Sequence, residues 1–127
     1  DLTVGIVYTG IRAVIIVEIV AADSKPTAEE AKTIEAAGLA QAETGAGIIV
    51  HCRGLGRFNS PDEPMKILEK SGADLSKVGI AHRESQLSKF KREDYLRHYG
   101  KIVDKGAYVC FDCFVCFALI LYVFAWF

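Results

Sequence analysis

The chain has 127 residues, of which 15 are basic, 16 are acidic and 51% are hydrophobic. The net charge of -1 gives no electrostatic reason to expect nucleic-acid binding, which usually needs a basic patch. The hydrophobic fraction excludes a chain that is disordered throughout, and 4 cysteines are too few for a small scaffold held by disulfides. The length suffices for one domain at most.

The first element in chain order is a strand over residues 13–20. This stretch reads AVIIVEIV, and apart from Glu18 it is apolar and rich in β-branched residues, which is typical of a parallel strand buried on both faces. Thr27 follows, with a glutamate three residues later, which is the spacing of a capping box. We therefore predict a helix over 28–44 that ends at Gly45. The expected inward face of this helix comprises Ala31, Ile34, Gly38 and Ala42.

Two more units repeat this arrangement. Residues 47–52 read GIIVHC and predict a second apolar strand. Ser60 has the character of a helix N-cap, with proline next to it, so we predict a second helix that runs to about Ser71. Residues 78–82 read VGIAH and predict a third strand.

The charged segment 89–104 predicts a third helix, and residues 107–111 predict a fourth strand. A solvated face of mixed charges is favoured over a phosphate-binding patch for this helix, and His98 is expected at the surface. The order of strands and helices predicts an α/β fold of parallel (β/α) units with right-handed crossovers. An open doubly wound sheet and a closed eight-stranded barrel both use such units. The buried stripe expected on this helix is Phe90, Tyr95, Tyr99 and either Ile102 or Val103.

Polar side chains stand at or near the C-terminal ends of all the predicted strands. They are Glu18, His51, His82 and Asp112. Because the C-terminal ends of parallel strands form one rim, we expect these side chains to lie close together. Imidazoles and carboxylates are ligands of zinc and related divalent metals, whereas a single strand histidine is more often a structural group. The pattern alone leaves a metal site and structural hydrogen bonding equally open.

The cysteines favour a structural interpretation. Cys110, Cys113 and Cys116 have the spacing of part of an iron–sulfur or zinc motif, but no fourth ligand lies at a suitable distance along the chain. Cys52 is a weak candidate for a nucleophile, since no base can be named for it. We expect free thiols in a reducing compartment and see no signal peptide, although an N-terminal portion could precede Asp1. The expected location is therefore the cytoplasm.

Residues 113–127 read CFVCFALILYVFAWF and contain no charged residue. The segment is shorter than the ~20 apolar residues that usually span a bilayer. Three interpretations remain open: a membrane segment, a buried strand or helix, and sequence that is foreign to the domain.

A specific resemblance is carried by four segments, which read GIRAVIIVEI, AQAETGAGIIVHC, ILEKSGADLSKVGIAHRES and GAYVCFDCF. Together they resemble the phosphotriesterase-related proteins of the phosphotriesterase family, within the amidohydrolase superfamily. The resemblance implies a partial TIM-type barrel, in which these strands correspond to strands four to seven of eight. Residues 1–114 would form the partial (β/α) barrel domain, and residues 115–127 would be an apolar tail of unassigned origin.

The resemblance also implies a centre of two divalent metal ions, usually zinc. Carried over by position, Glu18 would bridge the two metals, and His51 and His82 would bind the second one. The family's other ligands are two histidines on the first strand and an aspartate on the eighth, and they have no counterpart in this chain. Asp112 does not match that final aspartate and is left off the predicted ligand set.

Three further residues receive weaker roles from the resemblance. Glu84 follows the His82 strand and would transfer protons or contact the substrate. Arg53 and Arg57 lie in the loop after the His51 strand, where they would suit an anionic group of the substrate.

The implied function is metal-dependent hydrolysis, in which a metal-activated water attacks an ester, lactone, amide or phosphoester of a small molecule. A complete barrel needs about 250 residues, so we predict that this chain alone has little or no activity. The alternative is a non-catalytic half-barrel that self-associates through exposed strand edges or associates with a membrane through its apolar tail.

Overall fold

The structure is a computed structural model that describes residues 2–3, 5–6, 9–52, 60–87 and 90–112. Strands and α-helices alternate along these ranges. In chain order they are β1 Ile15–Val20, α1 Ala28–Thr44, β2 Gly47–His51, α2 Asp62–Lys70, β3 Val78–Ala81, α3 Arg92–Asp104 and β4 Tyr108–Val109. Two short 3₁₀ helices, Leu75–Lys77 and Arg83–Gln86, precede and follow β3.

The four strands form one parallel sheet in the order β1-β2-β3-β4. Their register aligns the C-terminal ends, because Val20 pairs with His51 and His51 pairs with Ala81. The prediction of an α/β fold built from parallel units is therefore confirmed. The alignment also brings the ends of β1, β2 and β3 to one rim, which positions the candidate site.

Helix α1 begins and ends as predicted. The Thr27 hydroxyl accepts a hydrogen bond from the Glu30 N–H at 3.2 Å, and the Glu30 carboxylate accepts one from the Thr27 N–H at 2.8 Å. At the other end, Gly45 adopts a left-handed φ of 71° and its N–H donates to the Gln41 carbonyl at 2.7 Å. A residue with a side chain is strained in that conformation, so glycine suits the position.

The buried face of α1 is rotated from the predicted one, which was wrong at two positions. Ala31 is half-buried and Ala42 is exposed. The buried residues are Ile34, Ala37, Gly38 and Gln41. Gln41 is drawn inward because its side-chain amide exchanges two hydrogen bonds with the backbone of Asp74, at 2.6 and 3.3 Å. These bonds satisfy an amide that would otherwise be costly to bury.

The hydrophobic core lies between the sheet and the helices. All four residues of β3 are buried, which fits a central strand of a parallel sheet. Burial of each large aliphatic side chain contributes about 1.5–3 kcal/mol of transfer free energy. The largest fully buried apolar residues include Ile34, Ile48, Met65, Leu68, Ile80 and Ile102.

Strand β1 is not buried on both faces, and that prediction was wrong. Val14, Val17 and Val20 are 76%, 57% and 45% exposed, and Ile19, at 8%, is the one buried residue within the strand. The physical reason is that, among the described elements, α1 packs against one face of β1, while the exposed valines stay without such cover. The apolar run therefore predicted the strand correctly, but it did not predict how many faces of the strand are covered.

Other boundaries differ by a few residues. Helix α2 begins at Asp62 with Pro61 as its N-cap, so the prediction of Ser60 as the N-cap was wrong by one residue. The Ser60 hydroxyl instead donates to the Asp62 carboxylate at 2.7 Å. Strand β4 is limited to Tyr108–Val109.

The tail and the domain boundary predicted at residue 114 lie outside the described residues. Within the described ranges, no helix combines the length and the apolar character needed to cross a membrane.

We expect opposite effects from the same substitution at two helical glycines. A Cβ added at Gly38 would lie 2.7 Å from the Ser71 Cβ, whereas one added at Gly100 meets nothing within 4 Å. Gly100→Ala should raise the free energy of unfolding by about 0.5–1 kcal/mol through helix propensity. Gly38→Ala should lower it by about 1 kcal/mol, because overpacking outweighs that gain. Urea titrations of both variants test this, and equal stabilisation would contradict the packing of α1 on α2.

Candidate metal centre

Three predicted ligands meet at the rim formed by β1, β2 and β3. The Glu18 carboxylate lies 2.8 Å from His51 Nδ1 through one oxygen and 3.4 Å from His82 Nε2 through the other. The two imidazole nitrogens are 2.9 Å apart. We call Glu18, His51 and His82 the rim cluster. Its side chains are partly accessible, at 48%, 23% and 16% respectively, so an ion could enter from solvent.

An irregularity in β1 helps to place Glu18. Ile16 pairs with Ile48 and Ile19 pairs with Val50, so β1 spans three residues over a distance in which β2 spans two. Such a bulge adds one residue to a strand and changes the direction of its side chains. It lies at Val17 and Glu18, directly where the carboxylate turns toward His51.

His82 reaches the cluster through an unusual backbone conformation. Among the described residues other than glycine, it alone has a positive φ, of 59°. This left-handed residue ends β3 and starts the 3₁₀ helix Arg83–Gln86. Its ring packs edge-on against His51, with centroids 4.3 Å apart. Left-handed geometry costs free energy in a residue with a side chain and concentrates at functional sites.

Asp112 also contacts His82, although it was left off the predicted ligand set. One carboxylate oxygen, Oδ1, lies 2.8 Å from His82 Nδ1 and accepts the His82 backbone N–H at 3.0 Å. The signal for this contact was present in the sequence, because Asp112 stands just past a predicted strand. The resemblance assigned no role to that position.

The weaker predicted site residues have different outcomes. Glu84 is 2% exposed, and its carboxylate lies within 4.8 Å of ligand atoms of His82 and Asp112. Glu84 is therefore buried close to His82, and its role in proton transfer or substrate contact stays a prediction. Arg53 and Arg57 lie outside the described residues.

The layer beneath the rim contains buried polar groups. Arg83 is fully buried, and its carbonyl accepts a hydrogen bond from the Tyr99 hydroxyl at 2.6 Å. Burial raises the pKa of Tyr99 to about 12. Burial also raises the pKa of Cys52 to about 11, because its effect on the thiol outweighs the opposing effect of the Arg83 charge. A thiol with that pKa is protonated near neutral pH, which does not support Cys52 as a nucleophile.

His98 was predicted at the surface, and this was wrong. The side chain is 6% exposed, because α3 buries the face that carries His98, Tyr99 and Ile102. Burial lowers the pKa of His98 to about 4, assisted by the positive charges of Arg83 and Lys101 and opposed by Asp62.

The donor set of the rim cluster fits a divalent cation. One carboxylate oxygen and one nitrogen from each imidazole lie within 4.8 Å of one another. Zinc takes this combination of ligands, and other first-row divalent metals accept it. The mixed set also gives the negative charge and the lone pairs that such an ion needs.

Comparisons with known proteins place the chain in a family. The model of the Phosphotriesterase family matches residues 1–120. The phosphotriesterase-related protein of Nematostella vectensis is 35% identical over 115 residues, which are 90% of this chain and 30% of that protein. The phosphotriesterase homology protein of Escherichia coli (strain K12) is 36% identical over 109 residues, which are 85% of this chain and 34% of that protein. The chain thus spans about a third of the length of these relatives.

Solved structures agree with this assignment. The Escherichia coli phosphotriesterase homology protein, complexed with phosphate in its active site, matches 85% of this chain with a TM-score of 0.63 and 34% identity, over 34% of its own length. A mutant phosphotriesterase-like lactonase from Deinococcus radiodurans matches 84% of this chain with a TM-score of 0.59 and 28% identity, over 30% of its length. The neighbours are TIM barrels matched over part of their length, so the predicted partial barrel is confirmed. By both sequence and fold, the chain belongs to the phosphotriesterase family of hydrolases.

Proposed function

We propose that this chain provides part of the active site of a zinc-dependent hydrolase. The observation that carries the proposal is the convergence of Glu18, His51 and His82 within reach of a shared cation. Divalent cations held there would supply the Lewis acidity that activates water and polarises the bond to be cleaved.

The protein's own groups have distinct tasks in this proposal. The two Glu18 oxygens contact different imidazoles, so this carboxylate would hold a cation together with both histidines. His51 offers Nδ1 and His82 offers Nε2, and both atoms face the Glu18 carboxylate. The aligned ends of β1, β2 and β3 bring these groups to one rim, where they would hold a cation in common.

The proposed substrate is a small molecule with an ester, lactone, amide or phosphoester bond. The phosphate in the active site of the Escherichia coli relative and the lactonase from Deinococcus radiodurans support this range. Arg53 and Arg57 would hold an anionic group of the substrate, and Glu84, which lies close to His82, would assist proton transfer. Since the chain spans about a third of its relatives, we propose that it turns over little substrate without further strands.

Zinc retention by the 127-residue chain tests the proposal. We expect the wild-type chain to bind zinc, and we expect His51→Ala and His82→Ala each to weaken binding by about 100-fold or more. Loss of a group that only contacts a ligand typically lowers metal affinity by about 10–100-fold, and loss of the ligand itself should lower it further. Equilibrium dialysis followed by metal analysis measures the effect. His98→Gln is the matched control, since His98 lies outside the rim cluster. Equal zinc content in all four proteins would overturn the proposal.

A further inference from the structure

We infer that Asp112 positions His82 and thereby determines which ring nitrogen of His82 faces the rim cluster. The consequence for metal affinity rests on the proposed function, while the effect on the imidazole itself does not. A single carboxylate oxygen of Asp112 contacts both the backbone and the ring of His82.

The double contact fixes His82 at two points. Oδ1 of Asp112 accepts the backbone N–H of His82 at 3.0 Å and lies 2.8 Å from Nδ1 of the same residue. The first bond supports the left-handed backbone at φ 59°, and the second fixes the rotation of the ring. Hydrogen bonds to a charged acceptor are stronger than neutral ones, so this pair can hold a conformation that is otherwise unfavourable.

The same contact determines the tautomer. An ionised carboxylate only accepts hydrogen bonds, so in a neutral ring Nδ1 must carry the proton and Nε2 the lone pair. Nε2 is the atom that lies 2.9 Å from His51 Nδ1 and 3.4 Å from the Glu18 carboxylate. Asp112 therefore directs the Nε2 lone pair of His82 toward the place where a cation would bind. A carboxylate behind a metal-binding histidine also raises the basicity of the ligand.

Backbone pairing holds Asp112 in register with His82. The Cys110 N–H donates to the Ile80 carbonyl at 2.9 Å, and the Arg83 N–H donates to the Cys110 carbonyl at 3.2 Å. These bonds lie on either side of His82 in the sequence. The residue two positions after Cys110 is consequently fixed beside the ring.

The tautomer of His82 is the direct test, and it needs no metal. We would record long-range ¹⁵N–¹H spectra of the histidine-labelled, metal-free 127-residue chain at about pH 8, above the ordinary imidazole pKa. Wild type should show His82 protonated on Nδ1, and Asp112→Asn should keep this form because the amide oxygen still accepts. Asp112→Ala should give a mixture of tautomers. The matched control is Asp104→Ala, an exposed aspartate at the end of α3.

Cobalt affinity of the same proteins provides the second readout. Asp112→Ala should weaken cobalt binding by about 10–100-fold, and Asp112→Asn by about ten-fold, since a neutral amide polarises the ring less. Asp104→Ala and wild type should be equal. If Asp112→Ala does not fold, Asp112→Leu takes its place, because leucine also has no hydrogen-bonding group, and the wild-type tautomer in that variant would overturn the inference.

The two proposals can fail separately. An unchanged His82 tautomer in Asp112→Ala would overturn the role of Asp112, even if wild type binds cobalt well. Absence of cobalt binding by wild type, with the tautomer shifted as expected in Asp112→Ala, would overturn the metal site and leave Asp112 as the group that orients His82. Glu84→Gln completes the set, because the Glu84 carboxylate lies close to both His82 and Asp112, and this variant should leave the tautomer unchanged.

Discussion

Replacement of Glu18 by glutamine is expected to weaken zinc binding by about 100-fold or more, without loss of the fold. Glutamine keeps the shape of the side chain but has one oxygen and an amide nitrogen that is only a donor. Because each Glu18 oxygen faces a different histidine, the amide nitrogen must point toward one of the ligand nitrogens. The variant therefore loses both the negative charge and one of the two ligand positions.

A competition titration against a chromophoric zinc chelator measures this affinity. The matched control is Glu29→Gln, which makes the same change at an exposed position in the first turn of α1 and should bind zinc like wild type. If Glu18→Gln also binds zinc like wild type, the carboxylate is not a ligand. Bridging by Glu18 would then be wrong, even if the two histidines still bind the ion.

The sequence predicted the parts of the fold that depend on local signals. Helix α1 was predicted to the residue, because the capping box at Thr27 and the glycine at its end are encoded within a few positions. The parallel sheet followed from β-branched strands separated by helices. The meeting of Glu18, His51 and His82 followed from the same rule, since parallel strands align their C-terminal ends.

Features that depend on neighbouring elements were not predictable in this way. The bulge in β1 arises from its register with β2, and the left-handed φ of His82 is supported by Asp112, 30 residues later in the chain. His98 was misplaced for a related reason. A charged helix has polar residues on several faces, and the packing partner decides which face is buried.

Because His98 is buried, we expect the free energy of unfolding to fall as the pH falls from about 6.5 to about 4. Its pKa in the folded chain is lowered to about 4, whereas an unfolded histidine has a pKa of about 6.5. Between these values the unfolded chain binds a proton that the folded chain does not, so acid favours unfolding. The loss is on the order of 3 kcal/mol and is complete below the folded pKa. Burial is the main cause, and Arg83 and Lys101 add to it against the opposing charge of Asp62.

Urea titrations of wild type and His98→Gln at several pH values between about 7.5 and 4.5 separate this effect from other acid effects. The variant has no proton to bind at this position, so its free energy of unfolding should vary much less across that range. Glu30→Gln is the control. The pKa of Glu30 is lowered from 4.5 by backbone N–H groups of Thr27 and Ala22, so its contribution is present above that value and is lost as the pH falls further. The free energy of unfolding of Glu30→Gln should therefore vary with pH as in wild type between about pH 6.5 and 5. If His98→Gln also shows the wild-type pH dependence, α3 does not bury a neutral imidazole.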